Sequence, residues 1–314
     1  MPASAPGGPS RILIIKHGAL GDFVMALGPA QAIRAHHAQA HITLLTTAPY
    51  AGLARASGLF DDVWIDSRPR ISQLSALLAL RRRLREGGFE RVYDLQTSSR
   101  SSFYYHLFPA AKRPEWSGIV VRGSHPHDNP ARRGMHTIDR QADQLHMAGI
   151  DTVPPPSLDW VEADVGGFGL KPPYALLVPG GAAHRPRKRW PASQYAELAD
   201  RLSGEGLTPV IAGGPDEQGI AVEIERAVPA AVNLAGKTSL EQIAVLARGA
   251  ALAVGNDTGP MHMAAIAGCP CVVLFSAESD PERTAPRGRA VKVLRREPLS
   301  ALPADDVWRA LELA

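Results

Sequence analysis

Short apolar runs alternate with longer amphipathic stretches along this chain, and the whole alternation occurs twice. Strands that are separated by helices form a parallel sheet with helices on its faces, because each crossover must return the chain to the same edge of the sheet. The pattern therefore predicts an α/β protein. In the first half it predicts strands at residues 11–16, 41–47, 62–66 and 91–96, and a prominent helix at 71–86.

The pattern stops at a Pro-rich stretch, Val153-Pro154-Pro155-Pro156 and then Pro172-Pro173, and it restarts afterwards. Proline stiffens a connector and cannot donate to a strand ladder, so a domain boundary is predicted here. The predicted organisation is a loose leader at 1–10, a first lobe at 11–155, a linker at 156–173, a second lobe at 174–300 and a C-terminal segment at 301–314. The second lobe carries predicted strands at 174–180, 208–214, 232–234, 251–254 and 271–275, and predicted helices at 191–202, 216–227, 239–247 and 260–267, with a last helix at 303–313.

Composition excludes several classes of protein. The chain has 314 residues, with 34 Lys and Arg against 31 Asp and Glu, and this net charge of +3 does not indicate nucleic acid as a partner. Its two cysteines are too few for a disulfide framework, and no run reaches the roughly 18 apolar residues that a spanning helix needs. Residues 1–10 lack the apolar core of a signal peptide, so a cytoplasmic location is expected. Residues 1–160 carry 18 basic and 13 acidic residues, an excess of 5 that suits an anionic partner.

Loops that follow strands are the expected place for chemistry, since ligands of open α/β sheets gather at the carboxyl ends of strands. The first such loop is His17-Gly18-Ala19-Leu20-Gly21-Asp22, which lacks the spacing of a dinucleotide fingerprint. Asp22 at the start of a helix has two interpretations. It caps the helix, or it is a general base that takes a proton from a hydroxyl. His17 is a second candidate base, although a loop histidine is more often a surface residue.

The second loop, residues 179–191, carries Arg185, Arg187, Lys188 and Arg189 directly before a helix. Cations at this end oppose the helix dipole, whereas amides and cations that converge on one point suit a phosphate. The third loop holds Glu217, for which ordinary turn and cap chemistry is favoured over a contact with ribose. The fourth loop holds Asp257, Thr258, Gly259 and His262. Capping explains its first residues but not His262, and free amides there can hold a diphosphate.

Taken in order, these segments resemble glycosyltransferase family 9, the lipopolysaccharide heptosyltransferases. Residues 233–275 are similar to the donor-binding block of that family, residues 18–22 to its opening motif, and Pro179-Gly180-Gly181 with Lys188-Arg189-Trp190-Pro191 to its mid-chain phosphate loop. The resemblance implies a GT-B fold of two doubly wound, Rossmann-like lobes that face each other across a cleft. It implies an inverting, metal-independent transfer of heptose from an ADP-heptose to an anionic lipopolysaccharide core acceptor, with no cofactor.

The resemblance also implies roles for single residues. Asp22 is the implied general base, with His17, Gly18 and Gly21 in the acceptor loop, and the last helix is implied to cross back onto the first lobe. The implied donor-binding residues are Lys188, Asp257, Thr258, Gly259, His262, Glu217 and Thr238. The chain departs from the family pattern at Ser276-Ala277-Glu278-Ser279, where a Gly-Pro-Thr-like turn is usual, and at His17, where small hydroxyl residues are common.

Several alternatives stay open at this stage. A GT-B transferase could use another nucleotide sugar or a protein acceptor, and a nucleotide-sugar-binding protein without activity would share the donor residues. The loop with His125, His127, Asp128 and His136 has no fixed spacing of metal ligands, so no metal site is expected. The basic run at 81–85 ends a helix whose leucines are expected to face the core, and the alternative for it is peripheral contact with the anionic inner membrane.

Overall fold

The structure, a computed structural model, describes residues 9–181 and 185–311. The chain divides into two compact units between Pro156 and Ser157. Most of the predicted leader, three residues of the basic loop (182–184) and the last residues of the predicted C-terminal helix (312–314) lie outside the described residues.

The first unit contains a parallel six-stranded sheet in the order β3-β2-β1-β4-β5-β6. Its strands are β1 (Arg11–Ile15), β2 (His41–Thr46), β3 (Asp62–Ile65), β4 (Arg91–Asp94), β5 (Glu115–Gly118) and β6 (His125–Pro126). Its helices are α1 (Leu20–Met25), α2 (Leu27–His36), α3 (Ala51–Ala56), α4 (Leu74–Glu86), α5 (Ser99–Tyr104) and α6 (Thr137–His146). The four strands predicted in this half are present within one or two residues.

The second unit repeats this architecture in the order β12-β11-β10-β7-β8-β9. Its strands are β7 (Tyr174–Val178), β8 (Thr208–Ile211), β9 (Val232–Asn233), β10 (Leu252–Asn256), β11 (Cys271–Phe275) and β12 (Val291–Arg295). Its helices are α7 (Ala192–Gly204), α8 (Gln218–Ala227), α9 (Leu240–Gly249), α10 (Gly259–Ile266), α11 (Pro281–Thr284) and α12 (Ala304–Ala310).

The continuous apolar runs of the central strands follow from burial on both faces of the sheet. In β7, Ala175 and Leu177 belong to one apolar cluster, whereas Leu176 and Val178 belong to another. Successive side chains of a strand point to opposite faces, so a strand that is covered on both sides must be apolar at every position. This confirms the α/β fold class, with a doubly wound sheet in each unit.

Two segments at the ends of the second unit are packed against it. Residues 157–173, expected to form a linker, belong to this unit: Leu158 and Val161 are buried, and their carbonyl oxygens accept hydrogen bonds from Arg248. The C-terminal helix α12 contacts α7 of the same unit. Leu302, just before this helix, has a buried side chain, and its carbonyl oxygen accepts a 2.9 Å hydrogen bond from the indole of Trp190.

Candidate active site

Each sheet reverses its strand order once, and the candidate residues follow the strands at that point. In the first sheet the reversal lies between β1 and β4, and in the second between β7 and β10. The loops after such a strand pair diverge to opposite sides, which leaves a crevice at the carboxyl ends of the strands. Asp22 follows β1, whereas Lys188 follows β7 and Asp257 follows β10.

Asp22 lies in the first turn of α1 and is half-buried. The N-cap residue of this helix is Ala19, and no side chain caps the helix. The capping interpretation of Asp22 is therefore wrong. Within the described residues the carboxylate makes no hydrogen bond or ion pair, so it is available to an incoming hydroxyl.

Gly18 is required by its backbone and by its neighbour. Its φ is +113°, and a Cβ there would lie 2.3 Å from Cε2 of Tyr50. Tyr50 in turn stacks on Phe23 of α1, with ring centroids 5.0 Å apart. Gly18 thus lets the loop turn tightly against an aromatic pair, and Gly21 is buried within α1. Both glycines shape the loop that presents Asp22.

Gln96 holds this loop in place, and the sequence analysis missed it. Its Oε1 accepts the backbone N–H of His17 at 2.9 Å, and its Nε2 donates to the carbonyl oxygen of Gly18 at 3.1 Å. One amide therefore ties the loop after β4 to the loop after β1. A Gln as the last residue of a predicted strand was the only sequence signal for this role.

His17 is not an exposed loop histidine or a base at the surface. Its side chain is buried, and Nε2 lies 2.9 Å from Oδ2 of Asp66, which also accepts a 2.6 Å hydrogen bond from the hydroxyl of Tyr104. Burial acts to raise the pKa of Asp66, but the hydrogen bonds from His17 and Tyr104 outweigh it and lower that pKa below its ordinary value. His17 is therefore a structural anchor that ties the loop to the end of β3.

Two buried charged side chains lie at the ends of β1 and β4. Lys16 is buried, its Nζ donates to the carbonyl oxygen of Leu95 at 3.2 Å, and burial lowers its pKa. The charges of Asp22 and Asp94 act in the opposite direction on that pKa, so the Lys16 amine lies in the field of both acids. Burial raises the pKa of Asp94 to about 6.

In the second unit, the basic loop and the loop after β10 meet at an ion pair. Nζ of Lys188 lies 2.6 Å from Oδ2 of Asp257, and these side chains are only 12% and 9% exposed. The buried ring of His262, one turn into α10, has Nε2 4.0 Å from Oδ1 of the same carboxylate. The structure thus brings Lys188, Asp257 and His262 together.

The neighbouring cations are placed differently. The guanidinium of Arg189 donates to the carbonyl oxygen of Gly181 at 2.6 Å, which fixes it to its own loop. Arg185 and Arg187 are exposed, and neither makes a hydrogen bond or an ion pair within the part of the chain that the structure describes. Of the four cations, Lys188 is the one that is half-buried beside Asp257.

Asn256 is the second residue that the sequence analysis missed, and it organises the site of the second unit. It is fully buried at the end of β10. Its Nδ2 donates to the carbonyl oxygens of Pro179 and Gly180, both at 2.9 Å. Its Oδ1 accepts the backbone N–H of Trp190, two residues after Lys188, at 3.1 Å. One side chain therefore fixes both ends of the basic loop against β10.

The residues after Asp257 begin α10. Thr258 is the N-cap residue, yet its hydroxyl donates to the carbonyl oxygen of Asn256 at 3.2 Å and does not cap the helix. Asp257, Thr258 and Gly259 are half-buried, so a ligand can reach the first turn of α10. The positive end of a helix dipole at this point favours an anion.

Glu217 performs the cap chemistry that the sequence favoured for it. Its Oε2 accepts the N–H of Gly214 at 2.8 Å. The glycines around it are needed for close approach, since a Cβ on Gly180 would lie 2.8 Å from Cγ of Glu217 and one on Gly213 would lie 2.9 Å from its Cβ. Oε1 of Glu217 makes no hydrogen bond within residues 9–181 and 185–311.

Thr238 lies next to Ser239, the N-cap residue of α9. Its Oγ1 is buried and has no hydrogen-bond partner among the described residues. Gly236, two residues earlier, has a φ of +70° and donates its N–H to the carbonyl oxygen of Gly213 at 2.8 Å. The loops of Glu217 and Thr238 are thus joined, as a shared binding surface requires.

The histidines of residues 125–136 have separate partners. His127 is buried with Nε2 2.7 Å from Oδ2 of Asp143, whereas His125 contacts Ser124 and His136 accepts the N–H of Ile138 at the start of α6. Burial lowers the pKa of His127, although its bond to Asp143 opposes this. Within the described part of the chain, no three His, Cys, Asp or Glu side chains are grouped so that they could hold a metal ion.

Comparisons with known proteins identify the family of the chain. The sequence profile of glycosyltransferase family 9 (heptosyltransferase) matches residues 77–307. Lipopolysaccharide heptosyltransferase 2 of Salmonella typhimurium is 27% identical over 91% of this chain and 88% of its own length.

Solved structures show the same fold. The heptosyltransferase II of E. coli covers 96% of this chain and 97% of its own, with a TM-score of 0.78 and 24% identity. A family 9 glycosyltransferase from Veillonella parvula has a TM-score of 0.80 at 20% identity and covers 96% of both chains. These comparisons, with two parallel six-stranded sheets, confirm the GT-B fold class that the resemblance implied. The chain belongs to glycosyltransferase family 9, the heptosyltransferase family, and is a glycosyltransferase.

Proposed function

We propose that this protein is an inverting, metal-independent glycosyltransferase that moves a heptose from ADP-heptose to an anionic lipopolysaccharide core acceptor. The observation that carries the proposal is the half-buried Lys188–Asp257 pair beside His262 at the reversal point of the second sheet. The names of similar proteins support the sugar and the acceptor: one relative is a lipopolysaccharide heptosyltransferase, and one E. coli structure of the same fold contains ADP.

The donor is proposed to bind in the second unit. The ammonium of Lys188 exchanges part of its contact with Asp257 for the diphosphate, and the first turn of α10 at Thr258 and Gly259 adds its positive end. Asp257 and His262 then line the sugar side of the site. Oε1 of Glu217 is proposed to accept a ribose hydroxyl, and Oγ1 of Thr238 to hydrogen-bond the adenine.

Asp22 is proposed to act as the general base. Its carboxylate takes the proton of the acceptor hydroxyl while that oxygen forms a bond to the anomeric carbon. The bond from the anomeric carbon to the phosphate oxygen breaks in the same displacement, and ADP leaves. A single displacement inverts the configuration at that carbon. The negative charge that develops on ADP falls beside Lys188, so the interaction strengthens as the reaction proceeds.

In the proposed reaction, Lys188 and the first turn of α10 supply the positive charge at the diphosphate, so no metal ion is needed there. We therefore expect that transfer measured in an excess of EDTA equals transfer with added magnesium. Activity that disappears in chelator and returns with magnesium would refute the metal-independent mechanism, without affecting the assignment of the donor.

Calorimetry with ADP-, UDP- and GDP-sugars identifies the donor. An assay of heptose transfer to a lipopolysaccharide core that lacks this heptose tests the acceptor. ADP-heptose is expected to bind, and the product is expected to gain one heptose with inverted configuration. If only UDP-sugars bind, the donor is a UDP-sugar and not ADP-heptose. Donor binding without transfer to lipopolysaccharide or to protein would favour a non-catalytic sugar-nucleotide-binding protein.

The acceptor also suggests where the protein works. ADP-sugars are cytoplasmic metabolites and the acceptor is lipid-borne, so we place the protein in the cytoplasm, in peripheral contact with the inner face of the inner membrane. Within the described residues, no helix has the length and apolarity that crossing a bilayer requires.

A further inference from the structure

Helix α4 exposes apolar side chains that the sequence analysis expected in the core. Ile71, just before the helix, is 76% exposed, and Leu74 and Leu78 are 64% and 57% exposed. The core contacts of the helix come instead from Leu80 and Leu84, which are buried. Three large aliphatic side chains therefore lie in solvent on one short segment, whereas exposed apolar residues are usually scattered singly.

The exposed leucines share one face of α4 with basic residues. Leu74, Leu78, Arg81 and Arg82 follow one another at intervals of four, three and one residue, which keeps them within about a third of the helix circumference. We call Ile71, Leu74, Leu78, Arg81 and Arg82 the outer stripe. Its first half is apolar and its second half is cationic.

All charged side chains in the segment that leads into α4 and forms most of it are positive. Residues 67–85 contain six arginines and no Asp or Glu. Two of the six have structural contacts: Arg83 lies over the ring of Trp64, and Arg85 donates to the carbonyl oxygen of Leu107. Arg81 and Arg82 are exposed, and neither makes a hydrogen bond or an ion pair within the described residues. Their charge is thus available to a partner.

The exposed surface continues on neighbouring elements. Arg100 of α5 donates to the carbonyl oxygen of Pro69 at 2.9 Å, which fastens α5 to the segment that leads into α4. Phe103 of α5 and Ile65 at the end of β3 are 38% and 40% exposed.

We propose that the outer stripe of α4 docks on the surface of an anionic phospholipid bilayer. Leu74 and Leu78 enter the boundary between headgroups and acyl chains, while Arg81 and Arg82 contact lipid phosphates, as in helices that lie in a membrane interface. The single sign of charge favours this occupant, since anionic headgroups neutralise the arginines whereas a second copy of the same stripe offers them no acidic side chain. The inference rests on the proposed function insofar as a lipid-borne acceptor makes this contact useful.

Flotation of the full chain with vesicles tests the docking. Vesicles of phosphatidylethanolamine and phosphatidylglycerol are compared with vesicles of phosphatidylcholine alone, at low and high salt. We expect binding to the anionic vesicles, little binding to the neutral ones, and weaker binding in high salt because the Debye length shortens. The double variants Leu74→Gln/Leu78→Gln and Arg81→Glu/Arg82→Glu should each lower the partition coefficient at least about tenfold.

A matched control uses an exposed apolar residue and an exposed arginine of the second unit. The double variant Val293→Gln/Arg226→Glu should leave the partition coefficient within about twofold of the unchanged protein, because neither residue belongs to the stripe. Circular dichroism of every variant checks folding. Since all four stripe substitutions are at exposed positions, normal spectra are expected.

Three results would overturn the proposal: no flotation of the unchanged protein, equal flotation with neutral vesicles, or flotation that both stripe variants retain. A dimer in light scattering that the stripe variants dissociate would assign the stripe to self-association instead. Flotation requires no sugar donor. If the protein binds vesicles normally but transfers no heptose, only the proposed function is rejected. If it transfers heptose but does not bind vesicles, only the docking surface is rejected.

Discussion

The reversal points of the two sheets hold opposite arrangements of charge. In the first unit, the carboxylate of Asp22 has no partner among the described residues. In the second unit, Lys188 and Asp257 are paired at 2.6 Å. A carboxylate without a partner is free to take a proton from an acceptor hydroxyl. An ammonium that is already paired is held in place until a more highly charged phosphate binds.

The two regions nevertheless use the same device to hold their loops. Gln96 ties the loop after β1 to the loop after β4, and Asn256 ties the loop after β7 to β10. In both cases a side-chain amide accepts one backbone N–H and donates to backbone carbonyl oxygens across the reversal point, to one for Gln96 and to two for Asn256. The difference between the regions therefore lies in the charged groups and not in how the loops are fixed.

The largest expected effect is that of Asp22→Asn. If Asp22 is the unpaired base of the first unit, the variant loses transfer by about 10²–10⁴-fold while its affinity for ADP-heptose stays unchanged. Steady-state transfer rates and calorimetry measure the two quantities separately.

Asp305→Asn is a matched control for this variant, because it also removes a carboxylate from the first turn of a helix. It removes an exposed ion pair with Arg201 and a charge at the helix N-terminus, so it is expected to lower stability only slightly and to leave turnover intact. Asp22→Asn with full activity and normal folding would leave the base unassigned and remove the contrast between the two regions.

The second largest effect is that of Asn256→Ala. The substitution leaves the backbone N–H of Trp190 and the carbonyl oxygens of Pro179 and Gly180 without their buried partner. At about 1–3 kcal/mol for each unsatisfied group, with partial relaxation of the loop, the free energy of unfolding should fall by about 3–5 kcal/mol. Urea denaturation measures this loss, and calorimetry should show weakened donor binding because Lys188 is no longer held.

Tyr195→Phe separates the loop effect from general loss of stability. The hydroxyl of Tyr195 belongs to the same buried network, 3.2 Å from Oδ1 of Asn256, but it does not contact the basic loop. Its removal is expected to cost about 1 kcal/mol and to leave donor affinity unchanged. Equal donor affinities for Asn256→Ala and Tyr195→Phe would show that Asn256 does not position the site.

The sequence predicted those features that depend on local pattern. Apolar runs buried on both faces identified β1 and β7, and glycines with acids or cations after them identified the loops of Asp22 and Lys188. A strand as short as β6, with two residues, carries no periodic signal. The exposed edge strand β12, whose sequence is VKVLR, was overlooked because charged residues interrupt its apolar pattern.

The residues that were missed act over long sequence distances. Asp66 reaches His17 from the end of β3, and Asn256 reaches Trp190 from 66 positions away. Neither contact has a local pattern, since both depend on which strands become neighbours. Similarly, helical periodicity alone did not show that Leu80 and Leu84 would take the buried face of α4 and leave Leu74 and Leu78 outside.

A smaller effect is expected from Lys188→Ala. Removing a charge-assisted contact should weaken donor binding by about 1.5–3 kcal/mol and lower turnover as well, unlike Asp22→Asn. Lys188→Arg should rescue only part of this loss, because a planar guanidinium does not replace a compact ammonium beside Asp257. Calorimetry and steady-state rates provide both measurements.

Arg185→Ala and Arg187→Ala are the controls, since both arginines belong to the same loop and are exposed. They should change donor affinity by less than about 1 kcal/mol, as expected for solvated charges. Normal donor binding by Lys188→Ala, together with collapse in one of the arginine variants, would move the phosphate contact to that arginine.

The smallest expected effect is on how stability depends on pH, and it involves the buried acids Asp94 and Asp66 of the first unit. Burial raises the pKa of Asp94 to about 6, from an ordinary value near 4. Above pH 6 the folded protein must keep a buried carboxylate, which lowers its stability, and between pH 6 and 4 the folded state takes up a proton that the unfolded state does not. Asp94→Asn should therefore stabilise the protein at pH 8 and should not stabilise it at pH 4.

Asp66→Asn should behave in the opposite way, and the pair forms the sharpest test of the network beneath Asp22. The hydrogen bonds from His17 and Tyr104 outweigh burial and lower the pKa of Asp66, so its carboxylate contributes stability above its ordinary pKa, and this contribution is lost as the pH falls through the lowered value. Asp66→Asn should destabilise the protein at pH 8 and have a smaller effect near pH 3. Urea denaturation of both variants from pH 3 to 8 measures the two profiles. Profiles with the same sign would mean that the two acids do not experience the contrasting environments that their contacts indicate, and that His17 does not anchor the Asp22 loop through Asp66.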